Sequence, residues 1–163
     1  MYKTQEKFIK FDVYSYKNFC PSRTVPTMKH FVFIFSLILP LGSLQAEELK
    51  LLNPEQLQSI QAQQSPLIID VRTPAEWQAT GIIPNSHKLQ GFDSNGQFDA
   101  VKWTAELEKL KTAPNQAVIL VCRSGNRSGK IGEILLKQGQ NNIYHLQNGI
   151  QGWIQTGHPV QAE

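Results

Sequence analysis

The feature that most constrains this chain is a pair of short, uninterrupted apolar runs. Pro66-Leu67-Ile68-Ile69-Asp70-Val71 and Ala117-Val118-Ile119-Leu120-Val121 are each too short for a helix and do not alternate with polar residues. A strand with one wet face alternates; a strand covered on both faces does not. Both runs therefore read as strands inside a parallel sheet, which requires helical crossovers between neighbours.

The intervening segments supply those helices. Asn53-Pro54 reads as a cap followed by proline in the first turn, with Leu57 and Ile60 at helical spacing. Thr73-Pro74-Ala75-Glu76 is a capping box whose helix stops near Thr80-Gly81. Residues 82–89 read as loop and then a short strand. Phe98–Lys111 is amphipathic, with Val101, Leu107 and Leu110 expected inward. Ser128–Gln138 is expected to be a helix with Ile131, Ile134 and Leu135 on one side, ended by Gly139. Ile143–Leu146 reads as a third strand and Gly149–Thr156 as a terminal helix. No internal repeat or low-complexity linker interrupts the series. The expected fold is a single α/β domain, a parallel sheet flanked by helices.

The first 46 residues differ from the rest. Lys29-His30 precede an uncharged apolar run, residues 31–44, too short for a comfortable membrane span but suited to the core of a signal peptide. Residues 28–46 read as that signal peptide, with cleavage after Ala46. Residues 1–27 read as an upstream extension, with translation starting at Met28. The expected mature domain is 47–163, exported, with the periplasm as its expected compartment. Taking the 6 basic and 2 acidic residues of 1–46 from totals of 16 and 13 leaves 10 and 11. The domain is near neutral and offers no basic stripe for nucleic acid. Cys122 is its one cysteine, so an internal disulfide is excluded and a reactive thiol comes into view. A buried structural cysteine is the alternative.

Ligands of parallel sheets bind beyond the carboxyl ends of the strands. Two such ends carry chemistry: Asp70-Val71-Arg72 and Val121-Cys122-Arg123. The second opens the loop Cys122-Arg123-Ser124-Gly125-Asn126-Arg127-Ser128. Successive backbone N–H groups can curl into an anion-binding nest, and a helix start adds its positive dipole end. Arg123 and Arg127 add full charges. All three favour a thiolate, the nucleophilic form of cysteine. Gly125 supplies the freedom a compact loop needs.

These pieces, in this order, resemble the rhodanese family of single-domain sulfurtransferases, and most closely its small exported bacterial members. The resemblance runs through Leu67–Arg72, Pro74-Ala75-Glu76-Trp77, Gly81-Ile82-Ile83-Pro84-Asn85-Ser86, the Cys122–Ser128 loop, Asn148-Gly149-Ile150-Gln151-Gly152-Trp153 and Gly157-His158-Pro159-Val160. It departs from the family where Ile82 replaces a histidine and where Asn148-Gly149 replaces Gly-Gly. Both departures bear on turn geometry. Related phosphatases place five residues between cysteine and arginine; here four separate Cys122 from Arg127, the sulfurtransferase spacing.

The resemblance implies a sulfur relay with a persulfide on Cys122. The donor would be a small anion such as thiosulfate, and the acceptor cyanide or a thiol. Residues 123–127 (Arg123, Ser124, Gly125, Asn126 and Arg127) would bind the donor and the persulfide. Arg123 would face the loop mouth and Arg127 would brace the far end. No metal or organic cofactor is implied, and a monomer suffices. The other reading is a non-catalytic rhodanese-like module that binds sulfur or a partner.

The remaining candidates carry less. Asp70 and Arg72 could brace the loop, or form a structural ion pair, such as Arg72 with Glu76 one helical turn on. Trp77 and Trp153 fit the core better than a substrate wall. His87, His145 and His158 show no zinc spacing, and a cysteine–histidine hydrolase would need one of them beside Cys122. Residues 124–130 fail the P-loop count, and Asp93-Ser94-Asn95-Gly96 fails the calcium-loop count.

Overall fold

The computed structural model describes residues 47–162. The expected extension, signal peptide, Met28 start and cleavage point lie outside the described residues. Among the described residues no helix is long and apolar enough to cross a membrane.

The chain alternates strand and helix throughout: β1 (Lys50–Leu52), α1 (Pro54–Gln63), β2 (Leu67–Asp70), α2 (Pro74–Thr80), β3 (His87–Lys88), α3 (Ala100–Leu110), β4 (Val118–Val121), α4 (Asn126–Lys137), β5 (Ile143–Leu146) and α5 (Gly149–Gln155). All five strands are parallel, in the order β1-β5-β4-β2-β3. The two apolar runs are neighbours, pairing Leu67 with Val118 through Asp70 with Val121. Every residue of both strands is buried, which is why neither run alternates.

Side-chain alternation splits the core into two layers. Leu67, Ile69, Val71, Val118, Leu120 and Cys122 meet Trp103 and Leu107 of α3 and Ile131 and Leu135 of α4. Ile68, Ile119, Val121 and Leu146 meet Leu57 of α1 and Ile150 and Trp153 of α5. One expected core residue is misplaced: Val101 is 78% exposed. Trp103, two positions on and so on the opposite side of the helix, takes the inward place with Leu107. Leu110 packs against the core edge.

Three helices begin as the sequence requires. Asn53 and Thr73 close complete capping boxes with Gln56 and Glu76, and Asp99 caps α3. The start of α4 differs. It begins at Asn126, two residues before the expected Ser128, and no side chain caps it. Gly125, with φ +96°, turns the chain out of the strand end and directly into the helix. Asn126 and Arg127 therefore stand on the first helical turn, and the true loop is shorter than the sequence suggested.

Candidate active site

The sheet topology fixes where a site belongs. From β2 the chain crosses through α2 to β3 on one side; from β4 it crosses through α4 to β5 on the other. The connections leave adjacent strands in opposite directions. That reversal opens a crevice beyond the carboxyl ends of β2 and β4. Cys122 stands at its floor.

The cysteine is 1% exposed, with its sulfur set into backbone and helix-start polarity. The Gly125 N–H donates to Cys122 Sγ at 3.1 Å, and Ser128 Oγ lies 3.4 Å from the same sulfur. The Ser128 hydroxyl is also 3.1 Å from the Gly125 carbonyl oxygen. The uncapped first turn of α4 adds its dipole end. Above the sulfur lies an open bowl of about 510 Å³ lined by Glu76, Cys122, Arg123, Ser124, Asn126 and Arg127. Arg123 and Ser124 are exposed at its rim.

The loop is held from behind by α5. The Ile150 N–H donates to the Cys122 carbonyl at 2.8 Å, and the Gln151 N–H donates to the Arg123 carbonyl at 3.1 Å. In a planar trans peptide the next N–H points opposite to the carbonyl. The N–H groups of Arg123 and Ser124 are thereby turned away from α5. This close approach requires Gly149, whose φ is +56°. A Cβ there would overlap the Cys122 carbonyl oxygen and lie 2.6 Å from the Arg123 carbonyl carbon. Asn148, where the family pattern has a second glycine, adopts the left-handed conformation with φ +56°. Asparagine tolerates that region, so the substitution leaves the turn intact.

Arg127, on the first turn of α4, meets a partner that its own segment of sequence does not reveal. Its Nη1 and Nη2 donate to Glu76 Oε2 and Oε1 at 2.9 and 2.6 Å. The pair ties α2 to α4 across the crevice. Glu76 Oε2 also accepts from the Thr73 N–H and hydroxyl, each at 3.1 Å. Arg127 chiefly, with the Thr73 N–H, holds the Glu76 carboxyl down at about 2, against its partial burial. The capping box made Glu76 legible as a helix start. Its second role could not be read, because Arg127 is 51 residues away.

The Arg72–Glu76 ion pair does not form. Arg72 pairs instead with Asp70, Nη2 to Oδ2 at 2.6 Å, with Nε donating to both carboxylate oxygens. Its remaining donors reach the Glu76 carbonyl, Thr80 Oγ1 and the Gly81 carbonyl. Glu76 contributes only its backbone there, since its carboxylate is engaged by Arg127. Both partners are 1% exposed, and these bonds run to α2. Asp70 and Arg72 thus seat α2, which presents Glu76 to the loop.

Trp77 and Trp153 are buried, as the core reading expects. The Trp153 indole N–H donates to the Pro159 carbonyl at 2.7 Å, and its ring stacks on His158. His87 is exposed at the β3 edge. The His145 ring packs against Gly129 of α4, and its Nδ1 is buried without a hydrogen-bond partner. Asp93 forms an ordinary turn, accepting from the N–H groups of Asn95 and Gln97. Among the described residues no cluster of His, Cys, Asp and Glu could hold a metal ion.

Fold and site together define an α/β domain built around one buried thiol that accepts from the Gly125 N–H at the uncapped start of α4. Residues 53–156 match the rhodanese-like domain, and the chain belongs to that family of sulfurtransferases. It is 30% identical over 96 residues to a sulfurtransferase of Allochromatium vinosum, covering 59% of this chain and 78% of that one. It is 30% identical over 113 residues to the thiosulfate sulfurtransferase GlpE of Pseudomonas fluorescens, covering 67% of this chain and 88% of the relative. The crystal structure of a rhodanese-related protein from Thermoplasma volcanium superposes with a TM-score of 0.55 at 26% identity, covering 70% of this chain and 99% of that one.

Proposed function

We propose that this protein is a sulfurtransferase that moves a sulfane sulfur from thiosulfate, or a similar small anionic donor, to a nucleophilic acceptor through a persulfide on Cys122. The observation that carries this reading is the Cys122 sulfur itself, buried at a strand end beneath an open bowl and facing the Gly125 N–H. The thiosulfate sulfurtransferase name of the Pseudomonas fluorescens relative supports the choice of donor.

In the first step the Cys122 thiolate attacks the outer sulfur of thiosulfate. A sulfur–sulfur bond forms to Cys122 Sγ, the bond within thiosulfate breaks, and sulfite leaves with the electron pair. In the second step an acceptor takes the outer sulfur and the thiolate is restored. Cyanide would leave as thiocyanate; a thiol would leave as a persulfide. Both steps keep one negative charge at the cradle. Fixed donors already in place stabilise it without reorganisation. Exposed Arg123 at the rim draws the dianionic donor inward. Arg127, with its charge engaged by Glu76, holds the loop in shape.

Purified protein incubated with thiosulfate should gain the mass of one sulfur atom, and addition of cyanide should release thiocyanate. Cys122→Ser should do neither. A folded wild type that takes up no sulfur from thiosulfate or polysulfide would leave the non-catalytic binding module as the better reading.

A further inference from the structure

Among the described residues three polar side chains are buried: Asp70 and Arg72, which pair with each other, and Ser128, which is fully enclosed. Ser128 is the third residue of α4, one past Arg127. Serine is a middling helix former, and a buried hydroxyl costs free energy unless it is bonded. Alanine would serve the helix better. A hydroxyl at this depth calls for an acceptor.

Two acceptors are within its reach. The Gly125 carbonyl oxygen lies 3.1 Å from Ser128 Oγ, and Cys122 Sγ lies 3.4 Å from it. The hydroxyl has one proton, so it donates to one of them at a time. The carbonyl does not depend on it, because the Gly129 N–H already donates there at 3.0 Å. The sulfur's other donor, the Gly125 N–H at 3.1 Å, is fixed in the backbone. The Ser128 hydroxyl is therefore the donor that can turn towards the sulfur or away from it, by rotation about its own C–O bond. A neutral sulfur is a weak acceptor and loses the proton to the carbonyl; a charged thiolate wins it.

We propose that Ser128 is a catalytic residue of the sulfur relay: its hydroxyl holds the Cys122 thiolate at the start of loading and the end of discharge, and turns to the Gly125 carbonyl while the persulfide is present. This deepens the sulfurtransferase reading and rests on it. In the persulfide, Cys122 Sγ carries a sulfur–sulfur bond and no charge; the charge sits on the outer sulfur. During discharge the acceptor's electron pair bonds to that outer sulfur. The sulfur–sulfur bond breaks and its pair returns to Sγ. The hydroxyl turns to meet this pair and keeps its own proton. A donor that steadies a thiolate makes it a better leaving group and a weaker nucleophile. Ser128 thus speeds discharge and tempers loading.

The test separates the two steps in single turnovers of the purified protein at about pH 10, above the ordinary range of a thiol. Loading is read as mass gained from thiosulfate, and discharge as thiocyanate released from preloaded protein by cyanide. Ser128→Ala and Ser128→Gly both remove the hydroxyl; Ser128→Thr keeps it. A hydrogen bond to a charged group is worth about tenfold in an equilibrium, and thiolate attack responds to about half of a change in basicity. The hydroxyl-free variants should therefore load about threefold faster and discharge more slowly, so that the ratio of discharge to loading falls about tenfold. Ser128→Thr should keep the wild-type ratio, since any loosening of the site by its extra methyl slows both steps together. An unchanged ratio in the hydroxyl-free variants, or a threonine ratio as low as theirs, overturns the proposal. If the wild type takes up no sulfur from thiosulfate or polysulfide, the sulfurtransferase reading fails. Alkylation by iodoacetamide at the same pH then decides the hydrogen bond: the hydroxyl-free variants should react about threefold faster, and equal rates overturn it.

Discussion

Replacing Gly149 with alanine tests the idea that α5 sets the polarity of the cysteine cradle. The new Cβ would overlap the Cys122 carbonyl oxygen and lie 2.7 Å from the Arg123 carbonyl oxygen, where ordinary contacts begin at 3.4 Å. Either the helix start or the loop must retreat by about 1 Å, and the obstacle is rigid backbone. Overpacking of this kind costs about 1–3 kcal/mol. Holding alanine at φ +56° adds about 1–2 kcal/mol. The folded protein should lose about 2–5 kcal/mol, read as a fall in Tm of roughly 10 °C or more. Retreat also loosens the Ile150 and Gln151 hydrogen bonds to the Cys122 and Arg123 carbonyls. A displacement of about 1 Å at reacting groups can cost ~100-fold in rate. The assay is thiocyanate formation per folded molecule, beside a thermal melt. Gly132→Ala is the control, since its Cβ would meet only the flexible Leu49 side chain. It should lose stability and keep its rate. A Gly149→Ala protein that stays within threefold of wild type while melting lower would show that α5 does not govern the cradle. An unchanged melt would refute the contact argument itself.

Glu76→Gln should destabilise by on the order of 2 kcal/mol at neutral pH, after allowing for partial exposure of the pair. The Glu76 carboxyl sits at about 2 when folded, against 4.5 as its ordinary value. Its stabilisation is therefore complete above about pH 4.5 and is lost as pH falls towards 2. Urea melts of wild type and variant should converge over that window, and a gap independent of pH would count against the pairing with Arg127. Asp70→Asn should cost about 3–5 kcal/mol, because it leaves the Arg72 guanidinium buried without its counter-charge. Sulfur uptake per folded molecule should fall less than tenfold, since the hydrogen bonds of Arg72 end on α2; a complete loss would place this pair in the chemistry.

Much of the fold was legible because its signals are local. A strand covered on both faces must be apolar throughout, and Asn53-Pro54 and Thr73-Pro74-Ala75-Glu76 carry their caps within four residues. The beginning of α4 was misread because it carries no cap at all. The cap position is Gly125, which has no side chain to close a cap and makes the turn unaided. The place of Val101 was misread because two apolar residues in one helix, Val101 and Trp103, compete for the inward face, and the larger is buried.

Sequence alone determined the class of sheet, the position of Cys122 at a strand end, and the Gly125-containing loop that follows it. These depend on residues within one turn or one strand of each other. Only the tertiary structure decided which charges meet. It paired Glu76 with Arg127 across 51 residues and gave Arg72 to Asp70. It also brought Gly149 against the Cys122 carbonyl and the His145 ring against Gly129. Charge and hydrogen bonding act over a few ångströms whatever the distance along the chain, so these contacts exist only once the parallel strands bring their carboxyl ends to one edge.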